Sequence, residues 1–267
     1  MGAPMRRILS FACEGARLAA TLDDASGTTG LLIVSGGNEI RIGAHRGMAK
    51  LAKEIAEAGH PVFRFDRRGI GDSEGENGGF TESGPDIGAA VSAFKAECPA
   101  LTRIVAFGNC DAASALMLHC PSGVDRAVLA NIWVIEPVDD LPPPAAIKAR
   151  YWERLRDPRA WVGLFTGAVN LRKLAGGLLR IAKPERVSAL SGQVARGMAS
   201  FAGSIHILLA ERDGTAIAFA DEWQKPTFAP VRSRADVQVT KLDSASHSFA
   251  SDGDYRVLTE TLLKALS

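Results

Sequence analysis

AFGNCDAAS, residues 106–114, joins a short apolar run to a segment with helical spacing through a tight turn. The apolar run 104–107 is typical of a buried strand, and apolar side chains recur with the period of a helix after the turn. Between them lies Cys110, with Gly108 two residues before it and Ala112 two residues after it. A strained strand–turn–helix that presents a nucleophile needs small residues at these two positions. The stretch therefore predicts a reactive Cys110 at the start of a helix; the simpler alternative is a small buried residue on a turn.

The segments on both sides alternate between strand and helix patterns. Residues 8–13 and 17–22 alternate apolar and polar side chains around Glu14 and Gly15, which predicts an opening hairpin. Residues 31–35 are mostly apolar, as in a parallel strand buried on both faces. Such alternation predicts an α/β fold with a mainly parallel central sheet that carries helices on both faces. The other predicted strands are 61–65, 103–107, 126–131, 204–210 and 237–242, and the predicted helices are 45–60, 85–98, 112–120, about 215–224 and 255–266.

Residues 137–202 interrupt this alternation, because they contain no good strand pattern. They open with a proline-rich stretch and continue with helical spacing, which predicts a helical cap inserted into a core formed by residues 1–136 and 203–267. Between positions 148 and 196, eleven Lys and Arg accompany only three Asp and Glu. This basic face is either an ordinary solvated helix surface or a contact for an anionic acyl carrier or a membrane surface.

The overall composition is that of an ordinary globular protein. The 267 residues suffice for one large domain or two small ones, with 46% hydrophobic and 23% charged residues. The net charge of +1 gives no reason to expect nucleic acid as a partner. No run reaches the roughly 20 apolar residues of a membrane span. Glu14 and Arg17 interrupt the first apolar stretch, so we expect no signal peptide.

Cysteine usage and loop motifs predict a reduced, cytoplasmic chain without a metal or a cofactor. The four cysteines lack C-x-x-C spacing, which disfavours a zinc site and a disulfide framework. SGGN, residues 35–38, is a poor dinucleotide fingerprint, and no phosphate-binding G-x-x-x-x-G-K-[ST] motif occurs. The other three cysteines lie within predicted strands or helices, which favours a packing role for them: Cys13, Cys98 and Cys120.

His247 is the preferred candidate for the base that a thiol nucleophile requires. It lies in the loop LDSASHSFAS, residues 242–251, between the last predicted strand and the last helix. Loops at the carboxyl ends of parallel strands form the sites of open α/β sheets. The alternative is a capping or surface histidine. The remaining histidines flank or lie inside predicted elements: His45, His60, His119 and His206.

Asp213 is the preferred candidate for the acid that orients the base. It follows the predicted strand 204–210 and precedes a turn glycine. The chain order of the candidates is then nucleophile, acid, base. The alternative is that Asp213 only caps the following helix. Three other acids are rivals for the orienting role: Glu211 nearby, and Asp139 or Asp140 after the strand 126–131.

Backbone N–H groups that could stabilise a developing oxyanion lie on two loops. The amide of Asp111 follows the nucleophile, and VSGGNEIRIG, residues 34–43, offers the amide of Gly37 first and that of Asn38 second. The two glycines permit close backbone approach, although a plain turn at a strand end is the alternative. An unpaired carboxylate at Asp111 would disfavour a thiolate, so this side chain must point away or find a partner.

A further stretch, FRFDRRGIGDSEG (63–75), is similar to the D-x-R-G-x-G-x-S strand and loop of the α/β-hydrolase superfamily. With the turn around Cys110 it makes nearly the whole chain resemble that superfamily. The resemblance implies the α/β-hydrolase fold, with the cap over the active site. Together with the candidate residues it points to cleavage of a small acyl ester or thioester through an acyl-Cys110 intermediate. An acyltransferase with the same intermediate, or a binding protein without catalysis, are the alternatives.

Two narrower resemblances follow. GLLIVSGGNEIRIGAHRG (30–47) and GNCDAAS (108–114) resemble bacterial hydrolases of the exosortase A system-associated hydrolase 1 type, which accompany exopolysaccharide and protein-sorting gene clusters. A cysteine nucleophile with His and Asp resembles dienelactone hydrolase, in which a glutamate after the third strand contacts the resting thiol. That resemblance implies the same contact for Glu39. Dienelactone hydrolases lack so long a cap, so the resemblance implies no lactone substrate. The chain also has Gly-Gly-Asn where many esterases have His-Gly, which leaves the second oxyanion donor open.

Overall fold

The computed structural model describes residues 5–135 and 189–267. The strands in this part of the chain are β1 (Arg6–Cys13), β2 (Ala16–Asp23), β3 (Thr29–Val34), β4 (Val62–Phe65), β5 (Arg103–Asn109), β6 (Arg126–Ala130), β7 (Ser204–Ala210) and β8 (Val237–Leu242). They form one sheet in the order β1-β2-β4-β3-β5-β6-β7-β8. The hairpin β1–β2 joins β4 in antiparallel fashion, and the pairs from β4 to β8 are all parallel. The predicted hairpin and mainly parallel sheet are thus confirmed.

Helices cover both faces of the sheet. They are α1 (Gly47–Glu57), α2 (Gly84–Glu97), α3 (Asp111–His119), α4 (Ala189–Ser200), α5 (Gly214–Gln224), α6 (Ala229–Arg232) and α7 (Asp252–Leu266). Buried side chains of α2 to α5 form one apolar cluster with the sheet, whereas those of α1 and α7 form a second cluster on the opposite face. None of the helices in the described ranges has both the length and the apolar character needed to cross a membrane.

The apolar composition of β3 follows from its central position. All six residues of β3 are buried, because β4 and β5 flank it and helices cover it on both sides. Leu32 and Val34 contribute to one cluster, and Leu31 and Ile33 contribute to the other. A strand with two buried faces has no position for an exposed polar side chain, so its sequence does not alternate.

The helix α4 lies within the segment 137–202 that the sequence assigns to a cap, but it packs on the core. Val194 and Met198 of α4 are fully buried, and α4 contacts α3. The contact is so close that a Cβ atom on Gly197 would overlap the carbonyl oxygen of Met117. Most of the predicted cap lies outside the described residues, so its extent over residues 137–202 stays a prediction.

Candidate active site

Cys110 occupies a strained turn between β5 and α3. Its φ of 61° and ψ of −126° lie in a region that residues with a side chain avoid, and such strain is typical of functional sites. The turn is held by hydrogen bonds from the Cys110 amide to the Ala130 carbonyl (2.9 Å) and from the Trp133 amide to the Cys110 carbonyl (3.2 Å). A Cβ atom on Gly108 would lie 2.7 Å from the backbone of Ala112. The glycine before the cysteine is therefore a steric requirement of the turn.

His247 and Asp213 lie next to this turn, on the loops that follow β8 and β7. The Nδ1 atom of His247 is 3.1 Å from Oδ1 of Asp213. The second carboxylate oxygen of Asp213 accepts hydrogen bonds from the amides of Thr215 (3.0 Å) and Ala216 (3.1 Å) and so caps α5. Orienting the histidine and capping the helix are therefore compatible roles for one carboxylate.

The charges of this pair reinforce each other. Burial opposes ionisation of Asp213, but the hydrogen bonds from His247 and the two amides hold the pKa of its carboxyl below the ordinary value. A hydrogen bond to Asp213, followed by one to Cys110, raises the pKa of His247 from 6.5 to about 10, against the opposing effect of burial. His247 therefore readily carries a proton, because both the Asp213 carboxylate and the Cys110 side chain favour the charged imidazole.

The rival residues that lie in the described ranges have other partners. Glu211 pairs with Lys241 (3.0 Å) rather than with His247. His206 contacts Thr240 Oγ1 (2.8 Å), and His60 contacts the Thr29 carbonyl (3.0 Å). Burial raises the pKa of three thiols, to about 11 for Cys13 and Cys98 and above its ordinary value for Cys120. Asp139 and Asp140 lie outside the described residues.

Two asparagines that the sequence analysis did not single out hold the backbone of His247. Asn109 donates from Nδ2 to the His247 carbonyl (3.0 Å), and the fully buried Asn131 donates to the same oxygen (3.2 Å). The Oδ1 atom of Asn131 accepts from the amide of Ala210 at the end of β7 (2.9 Å). The loop that carries the histidine is thereby tied to β5, β6 and β7.

The loop after β3 lies against the start of α3, where the sequence predicts the oxyanion donors. Asp111 is the first residue of α3, so no carbonyl of the same helix accepts a hydrogen bond from its amide. The Gly37 amide is near this position, but it donates to Oδ1 of Asp111 over 2.6 Å. Asn38 accepts a hydrogen bond from the side chain of Asn77 (3.0 Å). Glu39 is exposed, and its contact with the resting thiol stays a prediction.

Arg67 is a third residue that the sequence analysis did not single out. It occupies the variable position of the D-x-R-G motif and is only 4% exposed. Its Nη2 atom donates to the carbonyl of Gly37 and lies 3.9 Å from Oδ2 of Asp111. Asp111 therefore finds its partners in the neighbouring loops, as the sequence analysis requires if its side chain does not point away.

Comparison with known proteins identifies the fold. Neither a family model nor a curated protein matches the chain. Among solved structures, the esterase Pf2001 of Pyrococcus furiosus is 16% identical, with a TM-score of 0.66 over 98% of this chain and 93% of its own. The α/β hydrolase GrgF of a Penicillium species is 17% identical, with a TM-score of 0.66 over 98% of both chains. The chain has the α/β-hydrolase fold.

Other structures with this fold include a dienelactone hydrolase of Anabaena variabilis, 11% identical, with a TM-score of 0.65 over 98% of this chain and 97% of its own.

Within the α/β-hydrolase fold of this chain, the candidate residues meet at one edge of the sheet. Cys110 follows β5, Asp213 follows β7 and His247 follows β8, all at carboxyl ends of parallel strands. Among the described residues, no three His, Cys, Asp or Glu side chains are grouped as metal ligands would be.

Proposed function

We propose that this protein is a hydrolase that cleaves a small ester or thioester through a covalent acyl-Cys110 intermediate. The observation that carries the proposal is the His247–Asp213 pair (3.1 Å) beside the strained turn of Cys110, with the three residues at the carboxyl ends of β8, β7 and β5. A nucleophile bonded to a base, and a base oriented by an acid, is the arrangement that activates a thiol for acyl transfer.

The reaction has two steps, and His247 moves one proton in each. The Cys110 thiolate attacks the substrate carbonyl, a sulfur–carbon bond forms, and the carbonyl electron pair moves onto oxygen. His247 then donates its proton to the leaving oxygen or sulfur as that bond breaks, which releases an alcohol or a thiol. In the second step His247 takes a proton from water, and the hydroxide displaces Cys110 to release the acid. Asp213 holds the imidazole with Nδ1–H towards itself and Nε2 towards the reaction.

The oxyanion of each tetrahedral intermediate needs hydrogen-bond donors. The Asp111 amide is the first donor, because it lies at the amino terminus of α3, where the helix dipole also favours negative charge. The Gly37 amide is the second, with Asn38 as the alternative on the same loop. In the structure the Gly37 amide donates to the Asp111 carboxylate. The carboxylate must therefore move away before the Gly37 amide can donate to the oxyanion.

Similar structures support the choice of an acyl substrate. Their names include an esterase and a dienelactone hydrolase, although identities of 11% to 17% extend the likeness only to the fold. The type of nucleophile in this chain therefore rests on Cys110 and its own neighbours. The resemblance to exosortase-associated hydrolases supports a bacterial hydrolase without naming its substrate.

The Cys110→Ala variant tests the proposal. We expect it to lower turnover of p-nitrophenyl acyl esters and acyl-thioesters by about a thousandfold or more, because the covalent intermediate cannot form. Cys98→Ala is the matched control, since Cys98 is also a partly buried thiol but lies at the end of α2 rather than on a loop of the proposed site. Wild-type turnover in a folded Cys110→Ala variant would refute the acyl-cysteine mechanism.

A further inference from the structure

The Gly37 amide, which the proposed reaction needs for its oxyanion, already has an acceptor. It donates to Oδ1 of Asp111 over 2.6 Å, and Asp111 directly follows the nucleophile. The two loops are packed so closely that a Cβ atom on Gly36 would lie 2.7 Å from the same Oδ1 atom. An incoming substrate oxygen therefore competes with the Asp111 carboxylate for this donor.

Arg67 lies beside this contact, and one of its guanidinium nitrogens is not used in a hydrogen bond among the described residues. Its Nη2 atom is anchored on the Gly37 carbonyl, while its Nη1 atom is buried and has no partner in the part of the chain that the structure describes. A buried guanidinium N–H without an acceptor is energetically costly, and it attracts a nearby carboxylate more strongly than an exposed one would. Oδ2 of Asp111 is 3.9 Å from Nη2, which exceeds a hydrogen bond by about 1 Å.

We propose that the Asp111 carboxylate gates the oxyanion hole: it occupies the Gly37 amide in the resting protein and moves onto Arg67 when the substrate oxyanion takes its place. The proposal rests on the proposed function and adds Arg67 to it as a positioning residue. The move is a rotation of one short side chain. On Arg67 the charge of Asp111 is compensated, so it no longer opposes the thiolate and the oxyanion.

The gate discriminates between the ground state and the intermediate. A neutral carbonyl oxygen is a weaker acceptor than a carboxylate, so an unreacted substrate does not displace Asp111 from the Gly37 amide. An oxyanion is a comparable acceptor and gains the Asp111 amide as a second donor. The Gly37 hydrogen bond is therefore made to the substrate only as the tetrahedral intermediate forms, which is the kind of contact that accelerates a reaction.

An alkyl trifluoromethyl ketone tests the gate. Its carbonyl carbon adds to the Cys110 sulfur, and the resulting alkoxide requires the oxyanion hole without any leaving group or turnover. We expect Asp111→Ala to bind this ketone about tenfold more tightly than the wild type, because no carboxylate competes for the Gly37 amide. Asp111→Asn, which keeps an acceptor without its charge, should lie between the two and carries the test if the alanine variant does not fold.

Variants of Arg67 test where the carboxylate goes. Arg67→Gln should weaken ketone binding about tenfold in the wild-type background, since Asp111 loses its second position. The same substitution should have a much smaller effect in the Asp111→Ala background. Arg67→Lys, which keeps the positive charge, should restore part of the wild-type affinity. Equal effects of Arg67→Gln in both backgrounds would overturn the gate, because Arg67 would then act without Asp111.

Alkylation of Cys110 by iodoacetamide separates the gate from a simple effect of charge. Displacement of iodide needs the thiolate but no oxyanion hole, so Asp111→Ala should change ketone affinity by a larger factor than it changes the alkylation rate. Equal factors, or ketone binding that is unchanged or weaker in Asp111→Ala, would overturn the gate. Absence of a ketone adduct in the wild type and in every variant would instead overturn the proposed function together with the gate. Urea unfolding of each variant shows that it is folded.

Discussion

Single residues in this site serve more than one partner, and Asp213 is the clearest case. One of its carboxylate oxygens faces His247 and the other caps α5. From the sequence these two roles are alternatives, but a carboxylate has enough acceptor positions for both. The capping bonds also fix the orientation of the oxygen that holds the histidine, so the local helix signal and the proposed catalytic role support each other.

The pKa of His247 gives a prediction for stability at the residue scale. Because this pKa is about 10 in the folded chain against an ordinary value of 6.5, protonation favours the folded state. The stabilisation is complete below about pH 6.5 and is lost as the pH rises towards about 10. We therefore expect His247→Gln to lower the free energy of unfolding more at about pH 6 than at about pH 10 in urea titrations.

His206→Gln is the matched control for this pH dependence. Burial lowers the pKa of His206, with a smaller contribution from Lys264, so its folded state favours the neutral ring. Its contribution to stability is present above its ordinary pKa and is lost as the pH falls, which is the opposite sign. A His247→Gln penalty that is constant with pH, or that grows with rising pH, would contradict the ionised pair.

At the scale of elements, the loops after β5, β6 and β8 are joined by amide side chains. Asn131 adopts a left-handed backbone conformation with φ of 42°, which asparagine tolerates better than most residues. In this position it satisfies both the Ala210 amide and the His247 carbonyl. The loop that carries the proposed base is therefore held by these amide side chains as well as by its own serines, since Ser244 accepts from the Ser246 amide (3.0 Å) and Ser246 accepts from the Ala250 amide (2.9 Å).

We expect Asn131→Ala to lower both stability and turnover. Removal of its side chain leaves the buried Ala210 amide without an acceptor, and the strained backbone conformation adds to the cost, for a total of about 2–3 kcal/mol. Asn109→Ala is the comparison variant, because it loses the bond to the His247 carbonyl and the longer bond from Asn131 (3.4 Å) but leaves the acceptor of the Ala210 amide in place. Urea unfolding should show the larger loss for Asn131→Ala, while both variants lower kcat. A smaller loss of stability for Asn131→Ala than for Asn109→Ala would contradict this account.

The packing of α4 on α3 is a second feature at the scale of elements. The sequence places residues 189–202 in the predicted cap because the segment 137–202 contains no good strand pattern. In the structure, a close contact between Gly197 and Met117 lets α4 pack on α3. Such a contact joins residues far apart in the chain, so the period of apolar residues does not predict it.

In the whole molecule, the sheet brings together residues more than a hundred positions apart. The fold was predictable because strand and helix patterns alternate regularly, and His247 and Asp213 could be proposed because both follow predicted strands. Arg67, Asn109 and Asn131 could not be singled out in the same way. Their roles depend on which loop lies opposite each side chain and on the direction of each hydrogen bond, and these properties appear only when the strands are assembled.

An acyl group on Cys110 is the most direct test of the central claim. Wild-type protein is mixed with a p-nitrophenyl acyl ester, quenched with acid during the first turnovers, and digested for peptide mass spectrometry. The account predicts one acyl group, located on Cys110 in the peptide that contains AFGNCDAAS, formed at a rate no slower than steady-state turnover. Steady hydrolysis with no acyl group on Cys110, or with the acyl group on another residue, would contradict it.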